Sequence, residues 1–161
     1  MLIRALTHDD DLHGAGEIVR RAYFGLDGYP HDADYDEIIA DVASRVDDTL
    51  VLGAFIGERI VGCLTYVGSV DNAHAEHDDL GAASFRYFGI DPTAQGSGIG
   101  EAMVRWVIDR ARRDDKQRVL IHTLTMMTAA TRLYERLGFV RAPEQDACWD
   151  DIDGLAYVLA L

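Results

Sequence analysis

Between Gly89 and Met103 the chain reads GIDPTAQGSGIGEAM, with glycines alternating at 96, 98 and 100 between a short apolar run and a helical pattern. Glycine lets main-chain N–H groups approach a ligand without a Cβ in the way. The first N–H groups of a helix have no internal partners, and the helix dipole favours an anion there. Phosphate binding is the chemistry such a junction offers. Two common phosphate loops are excluded. Gly100 is followed by Glu101 and Ala102 rather than by Lys and Ser or Thr, and neither Gly96 nor Gly98 starts a G-x-G-x-x-G fingerprint.

Other side chains with reactive chemistry are scattered. Tyr134 shares a helical face with Leu133 and Leu137, so spacing alone reads it as a core residue. His122 lies in the apolar run RVLIHTLT; histidine titrates near neutral pH, yet one on an apolar strand is usually a satisfied core residue. The segment HAEHDD, His74 to Asp79, carries metal-ligand residue types, but no second cluster completes a site, so no metal is expected. Cys148 has no neighbour in sequence to lower its pKa and activate the thiol.

The elements that must position these groups follow from periodicity. MLIRAL reads as a strand. DDDLHGAGEIVRRAYFGL reads as a helix with Ile18, Val19, Ala22 and Tyr23 inward. After the break GLDGYPHD, the segment DADYDEIIADVASRV predicts one further helix with Tyr35, Ile38, Ile39, Val42 and Val46 on one face. TLVLGAFIGERIVGCLTYVG predicts a hairpin turning at Gly57. Asp71 to Ala83 reads as a polar loop and SFRYFGI as a strand. The helix after the glycine loop turns Ile99, Met103, Trp106, Val107 and Ala111 inward. RVLIHTLT is a strand buried on both faces. TAATRLYERLG is a short helix ending at Gly138, and FVRA and LAYVLAL are closing strands. The order β-α-α-β-β-β-α-β-α-β-β predicts a mixed α/β fold in a single domain spanning residues 1–161.

Composition narrows the partners. The chain has 161 residues and a formal net charge of −13, and Lys116 is its only lysine among fifteen basic residues. Such acidity disfavours nucleic acid and anionic membrane and favours a cationic substrate, although it also serves plain solubility. Two cysteines make no disulfide framework, and the N-terminus does not resemble a signal peptide. A cytoplasmic protein is expected.

Gln95-Gly96-Ser97-Gly98-Ile99-Gly100 resembles the Q/R-x-x-G-x-G/A loop of the GNAT superfamily of acyl-CoA-dependent N-acetyltransferases. FGIDP before it and AATRLYERLGFVRAP after it resemble that family's neighbouring segments, and the element order agrees along the whole chain. The resemblance implies a mixed, mostly antiparallel sheet with a splayed central parallel pair, flanked by about four helices. It implies acetyl-CoA as co-substrate and no metal. Main-chain groups of Phe88 and Ile90 would pair with the pantetheine arm. This needs SFRYFGI and RVLIHTLT to part after Gly89. Backbone N–H groups from Gln95 through Gly96, Ser97, Gly98, Ile99 and Gly100 to Glu101 would hold the pyrophosphate.

The resemblance also implies that Tyr134 protonates the leaving thiolate. Many relatives carry a glutamate on the strand before the loop; here that strand has Arg86 and no carboxylate, and Arg86 is no base at ordinary pH. His122 or a water chain is left as the proton acceptor. Where relatives often have Asn seven residues before the tyrosine, this chain has Met127, with Thr125 or Thr128 as replacements. The acceptor walls would be YFGLDGYPHD and DACWDDIDG, bringing Tyr23, Asp27, Tyr29, Asp32, Trp149, Asp150 and Asp151 around a small cationic or N-terminal amine. The alternative reading is a non-catalytic acyl-CoA-binding module. The C-terminal strands could exchange between two copies, which leaves a homodimer open.

Overall fold

The computed structural model describes all of residues 1–161. Strand β1 (Leu2–Ala5) leads into α1 (Leu12–Phe24), α2 (Ala33–Ala40) and α3 (Val42–Asp48). Strands β2 (Leu50–Ile56), β3 (Arg59–Val67) and β4 (Ala82–Ile90) follow, then α4 (Ile99–Arg113), β5 (Arg118–Leu124) and α5 (Thr128–Arg136). Strands β6 (Val140–Arg141), β7 (Ala147–Trp149) and β8 (Ile152–Ala160) close the chain. The sheet order is β1-β2-β3-β4-β5-β8-β6, with β7 pairing to β8 as well. Every pairing is antiparallel except β4 with β5. This is the mixed, mostly antiparallel sheet the sequence led us to expect, with five helices rather than four. No helix is long and apolar enough to cross a membrane.

Two cores cover the two faces. One joins α4 and α5 to the sheet through Met103, Val104, Val107, Ile121, Leu133 and Tyr134. The other joins α1, α2 and α3 to it through Val19, Tyr23, Ile39, Val42 and Tyr87. Part of the aspartate excess caps helices. Asp11, Asp32 and Asp41 accept the N–H groups of Gly14 (2.8 Å), Tyr35 (2.9 Å) and Ser44 (3.1 Å).

The single helix expected over DADYDEIIADVASRV is two. Asp41 ends α2 and caps α3, with φ −79° and ψ 74°. The reason is Arg45, buried at 1% exposure. Its guanidinium donates to the Ile38 and Ile39 carbonyls at the end of α2, where Ile38 has otherwise only the Asp41 N–H at 3.3 Å, and its Nε donates to the Thr65 hydroxyl at 3.2 Å. It also lies over the Tyr87 ring at 4.4 Å. Ile39 and Val42 are buried as expected, whereas Ile38 is exposed.

The C-terminal strands differ as well. FVRA contributes only two residues of strand. The unforeseen β7 forms a hairpin with β8, turned by Asp150 (φ 46°) and Asp151 (φ 66°), a conformation aspartate tolerates better than most residues.

Candidate functional site

β4 and β5 are paired only at Ala82 with Arg118 and Ala83 with Val119. Beyond that they part, six residues earlier than the expected point after Gly89. β4 is irregular within the parted stretch. Opposite it, Cys63 pairs with Gly89 and Thr65 with Arg86, so Leu64 alone faces both Tyr87 and Phe88. Tyr87 sits at φ 51°, a conformation an aromatic residue rarely adopts, and the strand bulges. Each parted strand keeps its other edge bonded, β4 to β3 and β5 to β8. The facing edges, residues 84–90 and 120–124, have no strand partner.

A cavity of about 550 Å³ opens at this parting. Phe88, Gly89, Ile90, Gln95, Gly96, Gly98, Ile99, Gly100 and Glu101 line it from the β4 side and the start of α4. Asp91 shapes the approach by accepting the Thr93 N–H at 2.9 Å and hydrogen bonding its hydroxyl, which holds the carboxyl below its usual range. Gly96 (φ 75°) and Gly98 (φ 82°) adopt left-handed conformations that favour glycine. Gly98 is the cap of α4 and offers no side-chain bond. Ala102 is the first residue of that helix whose N–H reaches a partner, the Gly98 carbonyl at 3.0 Å. The N–H groups of Ile99, Gly100 and Glu101 have no intrahelical acceptor. A Cβ on Gly100 would meet Leu133 and Phe88 at an ordinary 3.5 Å, so the fold itself does not require glycine there; a methyl would simply occupy the cavity wall.

The remaining predicted residues divide. Ser97 turns its hydroxyl back to donate to the Ala94 carbonyl and does not line the cavity. Tyr23 lines the cavity from α1. Tyr29 is buried outside it, donating to Asp36 at 2.9 Å, and Asp27 is an exposed loop residue. Asp150 and Asp151 are at the β7–β8 turn rather than in a wall of the cavity. Tyr134 is 5% exposed, its ring 5.7 Å from those of Phe85 and Phe139. Burial alone raises its phenol well above the usual pKa; no hydrogen bond or charge contributes. Met127 lines the cavity, and Thr125 and Thr128 are exposed beside it.

Sequence reasoning missed two charged groups. Arg136 of α5 lines the cavity, donating to the Arg132 carbonyl at 3.3 Å rather than to a carboxylate. Its signal was available: a cation one helical turn beyond Leu133 on the same face. Glu76 was hidden in the polar loop. It pairs with Arg86 at 2.6 Å and lies 3.9 Å from His122 Nδ1.

A family model, Acetyltransferase (GNAT) family, matches residues 13–139. The chain belongs to this acetyltransferase family. Within the GNAT family it is similar to the mycothiol acetyltransferase of Thermobispora bispora, at 32% identity over 89 residues, covering 55% of this chain and 30% of that protein. A second mycothiol acetyltransferase, from Pseudarthrobacter chlorophenolicus, is 31% identical over 108 residues, covering 63% of this chain and 32% of that one. The match thus spans about a third of the length of each of these two relatives. The GNAT fold is shared with the PaiA N-acetyltransferase of Thermoplasma acidophilum, solved in complex with coenzyme A. The TM-score is 0.75 at 15% identity, over 99% of this chain and 98% of that one.

Proposed function

We propose that residues 1–161 form one domain that moves an acetyl group from acetyl-CoA to an amine, with direct attack in a ternary complex. The observation that carries this is a single cavity combining two parted strand edges with the open N-terminus of α4. Amide groups on the pantetheine arm match the main-chain groups of Phe88 and Ile90 along the parted edge, where the Ile90 carbonyl accepts from Gln95 Nε2 at 3.3 Å. The pyrophosphate matches the N–H groups of Ile99, Gly100 and Glu101. Arg136 supplies positive charge beside them in an otherwise acidic chain. Acetyl-CoA brings the activated thioester; the chain binds it, orients it and presents the amine.

The acceptor in this reading is a small cationic or N-terminal amine, met by the acidic surface and by the aromatic wall at Tyr23. Two free cysteines, one of them the exposed Cys148, suit a reducing cytoplasm. Calorimetry with coenzyme A and thiol release over a panel of amines test the proposal. Saturable binding with turnover of at least one amine supports it. Absence of coenzyme A binding at millimolar concentration would overturn it, and binding without turnover of any amine would favour the non-catalytic module.

Gly100→Ala separates fold from ligand. Melting should show a domain as stable as the original or about 0.5–1 kcal/mol more so, because alanine suits a helix better than glycine. Affinity for coenzyme A should fall about tenfold, roughly 1.4 kcal/mol. Unchanged affinity would remove Gly100 from the cradle. Arg136→Ala should likewise weaken coenzyme A about tenfold, the size of one charge-assisted hydrogen bond, with less dependence on salt. An unaltered dissociation constant across salt concentrations would assign Arg136 to the surface alone.

A further inference from the structure

β4 has no carboxylate of its own, and one is held beside it from the β3–β4 loop. The bulge at Tyr87 turns Arg86 and Tyr87 to the same face of the sheet, the face of α1, and stacks the Arg86 guanidinium over the Tyr87 ring at 4.6 Å. Arg86 then holds the β3–β4 loop against that face. Its Nη1 donates to the His74 carbonyl at 3.2 Å, and its Nη2 pairs with Glu76 at 2.6 Å. Glu76 is thereby fixed as a carboxylate only 15% exposed, between β4 and β5. Tyr23, on the cavity wall, has its phenol raised well above the ordinary value, chiefly by burial. Glu76 thus spans from Arg86 of β4 to His122 of β5, across the gap between the parted strands at which the cavity opens.

His122 completes the arrangement from β5. Its Nε2 lies 2.8 Å from the Gln145 carbonyl, which can only accept, so Nε2 carries a proton. Nδ1 is left as the basic nitrogen, and it faces the Glu76 carboxylate at 3.9 Å. Trp149 covers the ring at 5.6 Å.

We propose that Glu76 is the proton acceptor for the incoming amine, and that His122 Nδ1 behind it is the positioning partner that receives the proton onward. This rests on the acetyl-transfer reading above. The ammonium gives one proton to a Glu76 oxygen, directly or through one water, and the freed nitrogen lone pair attacks the thioester carbonyl. The C–N bond forms, the C–S bond breaks, and the thiolate takes a proton from the Tyr134 hydroxyl. The second proton lost by nitrogen restores that phenol. Glu76 passes its proton to Nδ1, which returns the carboxylate.

Burial raises the Glu76 pKa, with Arg86 and His122 acting against it, so its proton affinity moves toward that of a useful base. Besides these two, Tyr23, Tyr35 and Tyr87 lie within its field. His77 and Asp146 lie within the field of His122.

The test is kinetic, with coenzyme A affinity measured beside it. Glu76→Gln keeps the size and a hydrogen bond to Arg86 but cannot accept the proton. We expect kcat/KM to fall about 100-fold at neutral pH, the acidic limb of the wild-type pH profile to vanish, and activity to recover toward high pH as free amine accumulates. Coenzyme A affinity should stay within about twofold. Rates within about threefold of wild type and an unchanged pH profile would overturn the proposal while leaving acetyl transfer intact. No wild-type turnover with any amine would overturn both. Should Glu76→Gln not fold, Glu76→Asp and His122→Gln carry the test. A loss of about tenfold in kcat with coenzyme A affinity intact supports the relay, and unchanged kcat in both overturns it.

Discussion

Replacing Tyr134 with phenylalanine is expected to lower kcat about 100-fold, the low end of what a positioned proton donor contributes. Stability should be unchanged or slightly higher. The phenol is buried between Phe85 and Phe139, and its pKa shift arises from burial alone, without a hydrogen bond to the chain. The hydroxyl has no hydrogen-bond partner in the chain, so removing it leaves no other group unsatisfied and a structural role predicts no loss. The raised pKa keeps the proton on oxygen through the whole neutral range, and Tyr134 itself should impose no fall in rate below about pH 10, its reference value. Thiol-release assays beside a thermal melt give the comparison. A kcat within about threefold of wild type would make Tyr134 packing and nothing more.

Arg45→Leu is expected to destabilise the fold by about 3 kcal/mol or more. Leucine fills much of the volume, but it leaves the Ile39 carbonyl and the Thr65 hydroxyl without their donor and the Ile38 carbonyl with only the Asp41 N–H at 3.3 Å. Each stranded buried group costs about 1–3 kcal/mol, and the cation over Tyr87 is lost too. For a chain of this size that is a fall in melting temperature of about 6–12 °C. Arg45→Lys should recover little of it, since an ammonium cannot span carbonyls and hydroxyl with one planar fork. If both variants melt within about 2 °C of wild type, the guanidinium is not what joins α2 to α3.

These two residues also mark how far the sequence could be read. The glycine loop, the helix behind it and the Gly57 hairpin were legible because each is set by local chemistry: a backbone conformation, a period, a turn. The role proposed for Tyr134 comes only from its motif, since its spacing is that of any core residue and it is not among the residues lining the cavity. Arg45 defeated the reading because periodicity counts arginine as polar, and only tertiary contacts reveal that its charge caps a neighbouring helix. Glu76 defeated it for a related reason. Nothing in HAEHDD distinguishes a solvated carboxylate from one held by Arg86, because the bulge that aims Arg86 depends on how β4 meets β3. The point where β4 and β5 part was misplaced on the same account.

That one extra residue opposite Leu64 acts as a phase change in the strand. Before it, odd-numbered Phe85 points toward α4 and α5; after it, even-numbered Phe88 and Ile90 do, and Tyr87 joins Arg86 on the opposite side. Deleting Tyr87 would not merely remove a ring. It would restore strict alternation with Phe85, Phe88 and Ile90 all still facing α4 and α5, remove the irregularity opposite Leu64, and leave the β4 edge regular enough to pair further along β5. The spacing of β4 therefore tolerates substitution far better than it tolerates a change in length.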